Sequence, residues 1–283
     1  MLAQIGVNSF SFQFSTIGAT PAVSPGTSVI PGASNAEGSW TEIASAANIA
    51  QNVYGLSLRV FNGFTSTQQK DHLLDIGIDP AGGTSYVPAH LPQNIVCGES
   101  GGNGFAFYFP VWILAGSAVA VRVQGNNATA GTVIVLATFY GQPSHPELIR
   151  VGQYSETIGT ITNSQGVAFT PGNTGAEGTW TLLGVTTKNL WHWQLCVQEA
   201  NTAMAILHYH FDLAFGDASN KVPIIQDLRC TTDSSESINN NYPTKNLEPC
   251  FADVPAGTNI YVRGTCSGTT GAGWNAVSVG IGG

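Results

Sequence analysis

The sequence predicts an all-β protein: two tandem antiparallel β-sandwich, jelly-roll-like domains produced by internal duplication. Three observations carry this. A stretch of the chain is written twice, apolar residues alternate with a period of two, and turn residues recur at strand-length intervals.

The duplication is clearest where "IPGASNAEGSWTEI" (30–43) meets "TPGNTGAEGTWTLL" (170–183), with Pro, Gly, Ala, Glu, Gly, Trp and Thr identical. It extends to "QFS" (13–15) and "QYS" (153–155), and to "DIGID" (75–79) and "DLAFGD" (212–217). "LAGSAVAVRV" (114–123) faces "PAGTNIYVRG" (255–264), which sets Arg122 against Arg263. Both copies close on a strand-like run ending in Gly. The expected organisation is an N-terminal segment (1–12), a first sandwich (13–141), a linker (142–152) and a second sandwich (153–283).

The shared motif comes first in each copy. Gly38 and Gly178 precede Trp40 and Trp180, so a tight turn delivers an indole to the start of a strand. A ring that buries roughly 200 Å² is expected there to close one end of a sandwich. Glu37 and Glu177 are expected to satisfy local backbone N–H groups in that turn, the alternative being a repeated metal or partner contact. "WTEIASAANIAQ" (40–51) has room for a helical turn capped by Thr41, but its counterpart "WTLLGVTTKN" is poor in helix formers.

Strands follow. "YGLSLRVFNG" alternates Leu56, Leu58 and Val60 with Ser57 and Arg59, and "AVAVRVQG" does the same with Val119, Val121 and Val123. "TVIVLATFY" is a nearly continuous β-branched and aromatic run, as a strand between two layers requires. "GQPSHPELIRVG" (141–152) reads as a short, stiff, exposed connector, with His145 solvated. In the second copy, "WHWQLCVQ" alternates Trp191, Trp193, Leu195 and Val197 with His192, Gln194, Cys196 and Gln198, and "AILHYHFDLAF" is a further strand.

Composition excludes several functions. Only 9% of residues are charged, against about a quarter in ordinary domains. The net charge is −8 and the nine basic residues are scattered, which argues against nucleic acid as a partner. No apolar run is long enough for a transmembrane helix, and "MLAQIGVNSF" lacks a basic leader, so synthesis in a cytoplasm is expected. Five Cys without CxxC spacing are expected as thiols, with Cys230–Cys250 the one pair placed to bridge a loop.

The search for chemistry leaves no catalytic set, no cofactor motif and no metal motif shared by the copies. His208, His210 and Asp212 lie on one strand face, where three ligand groups could converge, but the first copy has "DHLLDIG" instead. "GESGGNG" (98–104) misses the G-x-S-x-G spacing of a nucleophile elbow. What remains is a neutral surface of hydroxyls and amides with aromatics, suited to wet, low-charge contacts with neighbours or sugars.

The order of motifs carries a resemblance. Glu37–Ile43 ("EGSWTEI"), Leu73–Gly83 ("LLDIGIDPAGG") and Tyr108–Arg122 ("YFPVWILAGSAVAVR") resemble a class of tailed-bacteriophage virion structural proteins over most of the first copy. The second copy departs, with "GDASNK" in place of D-P-A-G-G and only P-A-G kept in "EPCFADVPAG". The resemblance implies a non-enzymatic particle component: a capsid decoration protein, head fibre, tail fibre or baseplate part. It also implies homo-oligomers, trimers among them, bound to major capsid protein or other virion subunits. Compact sandwiches without heptads favour a cement role on the shell. A tail adhesin stacking host glycans on Trp112 or Trp191 is the alternative, and a polysaccharide depolymerase with paired carboxylates is the third.

Overall fold

The computed structural model describes residues 14–17, 26–62, 72–97, 104–126, 132–141, 150–159, 166–199, 207–231, 250–269 and 273–283. The expected N-terminal segment, most of the linker with His145, and residues 98–103 of the Gly-rich stretch lie outside these.

The first copy contributes β1 (Phe14–Ile17), β2 (Thr27–Val29), β3 (Thr41–Ala44), β4 (Val53–Asn62) and β5 (His72–Asp79), then β6 (Ile95–Val96), β7 (Gly104–Phe109), β8 (Ala118–Gly125) and β9 (Val133–Gly141). The second contributes β10 (Tyr154–Ile158), β11 (Val167–Phe169), β12 (Thr181–Val185), β13 (Leu190–Glu199) and β14 (His208–Gly216), then β15 (Lys221–Thr231), β16 (Cys250–Val254), β17 (Asn259–Cys266) and β18 (Trp274–Gly282). The candidate helix is a strand, β3, followed by a 3-10 turn at Ala46–Asn48. The β-branched residues and the outward Glu42 suit a pleated, half-buried strand better than a helix.

Four antiparallel sheets result: β1-β9-β4-β7 with β2 also on β9, β3-β8-β5-β6, β10-β18-β13-β16 with β11 also on β18, and β12-β17-β14-β15. Each copy is a long hairpin rolled up. Its first strands pair with its last (β1 and β2 with β9), its next with the penultimate (β3 with β8), and so inward to β4 with β7 and β5 with β6. Rolling then joins β9 to β4 and β8 to β5. That is the wrapping of a jelly roll, and the second copy repeats it strand for strand. The all-β, tandem-sandwich expectation stands.

Inward residues of the paired sheets fill each core. Leu56, Leu58, Phe107, Phe109 and Phe139 are buried in the first. In the second, Trp274 meets Tyr209 and Phe211 edge-on, with ring centroids 4.9 and 4.7 Å apart, the geometry an aromatic quadrupole favours. Trp193 is also buried, and its indole N–H donates to the Ala252 carbonyl.

The two copies also pack on each other. β9 alternates buried and half-buried residues, whereas all nine residues of its counterpart β18 are buried. The outer face of the β18–β13 ladder pairs Ile281 with His192, Val279 with Gln194, and Val277 with Cys196. Against it lie β6, the residues before it, and the end of β7. Thr157 donates its hydroxyl to the Gln93 carbonyl, and Gly152 N–H donates to the Pro110 carbonyl at 2.6 Å. Gly152 also bridges to Val111, so the end of the linker is held by the first copy. Cys97 senses Cys196 across the contact, and burial pushes both thiols up, Cys196 to about 12.

His192 is the titratable group at this contact. It is 1% exposed, and its Nε2 lies 3.2 Å from the Tyr108 carbonyl, which can only accept. Burial lowers its pKa from the usual 6.5 to about 4, against the opposing pull of that hydrogen bond. Between those values the unfolded chain binds a proton that the folded chain refuses. Stability is therefore full above pH 6.5 and falls toward pH 4, by on the order of 3 kcal/mol. Urea titrations of the parent and His192→Gln across pH 4–7 are expected to show the parent losing its relative stability as pH drops. A pH-independent difference between them would rule out this assignment.

Candidate functional site

The residues written twice in the sequence converge twice in space. On the outer face of β5 and β8, Asp75 lies directly opposite Arg122. Arg122 reaches Asp75 Oδ2 through Nε at 3.0 Å and Glu37 Oε2 through a terminal nitrogen at 2.5 Å. Its guanidinium sits 4.5 Å from the centre of the Trp40 ring. On β14 and β17, Asp212 opposes Arg263. Arg263 reaches Asp212 Oδ2 at 2.8 Å and Glu177 Oε2 at 3.3 Å, and stacks 4.4 Å from the centre of Trp180.

The local geometry explains why these residue types recur. Asp75 and Asp212 are each 5% exposed, and a carboxylate so buried needs an opposite charge. Arginine supplies that charge in a planar fork that can also stack on an indole, which lysine cannot. The other carboxylate oxygen accepts a backbone N–H, from Asn94 at 2.7 Å in the first copy and from Asp227 at 2.9 Å in the second. Both donors hold a left-handed φ, 53° and 55°, a conformation Asn and Asp tolerate best after Gly.

Gly38 and Gly178 press the loop to the sheet edge, donating to the carbonyls of Val123 and Gly264 at 2.9 Å. A Cβ at Gly38 would meet the Ile30 carbonyl oxygen at 2.4 Å, and one at Gly178 would meet Gly172 N at 2.7 Å. Glycine is required there by close approach.

Two expectations are corrected. Trp40 and Trp180 do not close the ends of the sandwiches; they lie half-buried on outer sheet faces, with Trp40 over Gly77, whose missing Cβ makes room for the ring. Glu37 and Glu177 are not turn-capping residues but the second anions on each arginine. The element missed in the sequence is the Asp opposite each Arg. Its signal was the matched "DIGID" and "DLAFGD", legible only once strand pairing places them beside Arg122 and Arg263.

Each cluster holds two carboxylates and one guanidinium. Burial raises the Glu177 carboxyl above its ordinary value, with Arg263 pulling it down and Asp212 pushing it up. Beside the first cluster, Tyr86 donates to Glu42 at 2.7 Å, and burial followed by that contact lifts its phenol to about 12. Asp212, proposed with His208 and His210 as a ligand trio, spends one oxygen on Arg263 and the other on Asp227 N–H. Among the described residues, no group of three His, Cys, Asp or Glu could hold a metal ion. Cys230 and Cys250 stand as half-buried thiols.

A cleft of about 540 Å³ lies elsewhere, lined by Arg150, Tyr154, Asn189, Trp191, Asp253 and Pro255. Arg150 lies 4.4 Å from the Trp191 ring centre and pairs with Asp253 at 2.9 Å. Trp191 is thereby 2% exposed, whereas Trp112 is 44% exposed.

No protein-family model matches the chain, and no curated protein matches it in sequence. Solved structures match in arrangement. PNGF-II in a C2 crystal form is 11% identical over 95% of this chain and 65% of its own, with a TM-score of 0.37; this chain therefore spans less than two thirds of it. The N-terminal CBM22-1–CBM22-2 tandem of Paenibacillus barcinonensis Xyn10C is 8% identical over 98% and 94%, at 0.26. The Cowpea mosaic virus top component, a naturally occurring empty particle, is 9% identical over 90% and 92%, at 0.29. Scores this low carry no functional argument, and the jelly-roll assignment rests on the strand pairing itself.

Arg263→Met strands a buried carboxylate and is expected to cost roughly 2–4 kcal/mol. Adding Asp212→Leu should recover most of that loss, because the pair then leaves together. Urea unfolding of the single and double variants checks it; a double variant no better than the single one removes the ion-pair account.

Proposed function

We propose that the chain is a structural component of a bacteriophage particle, acting as a decoration or cement protein bound to neighbouring capsid subunits. The observation that supports it most is that its twice-built polar cluster is spent internally. Each arginine pairs with two carboxylates and holds a loop on a sheet face, so the repeated residues shape a surface instead of a reaction centre. Large apolar side chains remain on that surface, among them Ile30, Trp112, Leu114 and Phe251. Exposed aromatics of this kind anchor protein contacts. The order of motifs resembling tailed-phage virion proteins points the same way.

Mass spectrometry and cryo-EM of purified particles of the encoding virus are expected to find the chain in symmetry-related copies on the shell. Its presence in the lysate but absence from particles would end this reading. Recombinant chain is expected to rebind particles lacking it, and Trp112→Glu to weaken rebinding at least tenfold with the thermal midpoint unchanged.

The second reading, a host-glycan adhesin, is favoured by one feature. The cleft beside Trp191 places the Tyr154 phenol, the Asn189 amide and the Arg150–Asp253 pair within one concavity, and the guanidinium that covers the indole is the group a sugar would have to displace to stack on it. Glycan-array binding that disappears in Trp191→Ala and in Arg150→Ala would select it over the decoration role.

A further inference from the structure

Within the chain, one edge of the first copy docks on one face of the second. Each partner in that contact has a counterpart in the other copy, and among the described residues these two counterparts do not dock on each other. The docking segment is "LPQNIVC" (91–97), in which Leu91, Ile95, Val96 and Cys97 are buried. Its counterpart is "IIQDLRC" (224–230). Strand register fixes the equivalence: Ile95 opposes Leu74, and Leu228 opposes Phe211. Asn94 and Asp227 share the left-handed backbone and the hydrogen bond to the buried Asp. Yet Gln226, Asp227 and Arg229 are exposed, and Ile224, Leu228 and Cys230 are half-buried.

The receiving faces differ in which positions are polar. On the covered face of β13 and β18 stand Gln194, Gln198 and Asn275, all buried. The same positions on β4 and β9 hold Ser57, Phe61 and Ile134, since Phe61 opposes Ile134 as Gln198 opposes Asn275. Leu136 and Tyr140 stand where Val277 and Ile281 are fully buried, but they are partly exposed. Arg59 and Thr138 in turn stand where Cys196 and Val279 do, so the two faces are comparably apolar and the first copy's is the more exposed. At the adjoining strand, Thr16 on β1 opposes Thr138 as Thr157 on β10 opposes Val279, so the register of the hydroxyl contact is also repeated.

We infer that the second copy's β15 edge docks on the first copy's β9–β4 face of another molecule of this chain, repeating the internal contact head to tail. The contact is heterologous: one patch meets a different patch, so the products are closed rings or open filaments and not two-fold dimers. Asp227 and Arg229 replace Asn94 and Val96 on the incoming strand, and Arg59 replaces Cys196 on the face. The intermolecular contact is thus more polar than the internal one and weakens with salt.

Analytical ultracentrifugation of the full chain over a concentration series at low and high salt tests this. The mass is expected to rise well beyond the 29.5 kDa monomer at low salt and to fall back at high salt. Leu136→Arg disables the face and Gln226→Arg the edge; both sites are at least partly exposed, and thermal unfolding confirms that each variant folds as the parent does. Each variant alone is expected to be monomeric, and an equimolar mixture to give a heterodimer, since each retains the end the other lacks. A parent chain that stays monomeric at every concentration overturns the inference. So does a mixture that fails to pair, or a variant that still dimerises alone. None of these outcomes bears on whether the chain is found in a particle.

Discussion

A carboxylate buried to about one twentieth of its surface cannot keep its charge without a counter-ion, and each copy is organised around one such group. Asp75 and Asp212 sit mid-strand on outer sheet faces that would otherwise tolerate them easily. They are buried because a loop is laid over them, and the loop is held because they are charged. The arginine from the adjacent strand closes this circle. It neutralises the Asp, pins the loop through Glu37 or Glu177, and presents the flat surface on which Trp40 or Trp180 lies. Remove the arginine and all three contacts lose their reason together, which is the behaviour of a coupled network and not of three separable bonds.

Much of this was legible in the chain. Period-two alternation located β4, β8 and β13, an apolar run located β14, the repeated Ala-Glu-Gly-x-Trp named Glu37, Trp40, Glu177 and Trp180, and a second matched stretch named Arg122 and Arg263. The role of the indole was not legible. A tryptophan entering a strand reads as core because its area is large, and only the pairing of Asp75 with Arg122 shows that a cation and Gly77 wait for it on the outside. The aspartates were invisible as partners for the same reason. The Asp and Arg are 47 residues apart in the first copy and 51 in the second, and cross-strand neighbours carry no periodic signature.

The covered face of the second copy was misleading in a different way. His192, Gln194, Cys196 and Gln198 alternate with apolar residues as a solvent-facing row does, yet all are buried. On this face His192 Nε2 meets the Tyr108 carbonyl of the first copy, while its Nδ1 is buried without a hydrogen-bond partner among the described residues. Alternation reports that two faces differ; it does not report which medium each one meets.

That distinction bears on how duplication produces surfaces. Two identical copies would offer two identical faces and two identical edges, and the internal contact uses one of each. The used face carries His192, Gln194, Gln198 and Asn275 buried against a packed neighbour that fixes its geometry. On the other face Phe61, Ile134, Leu136 and Tyr140 lie half-buried among Ser57, Arg59 and Thr138. The strand that matches the docked one in register, backbone conformation and two of seven residues exposes Gln226, Asp227 and Arg229. A face of one kind and a matching edge of another are the two requirements of an assembly that grows in one direction.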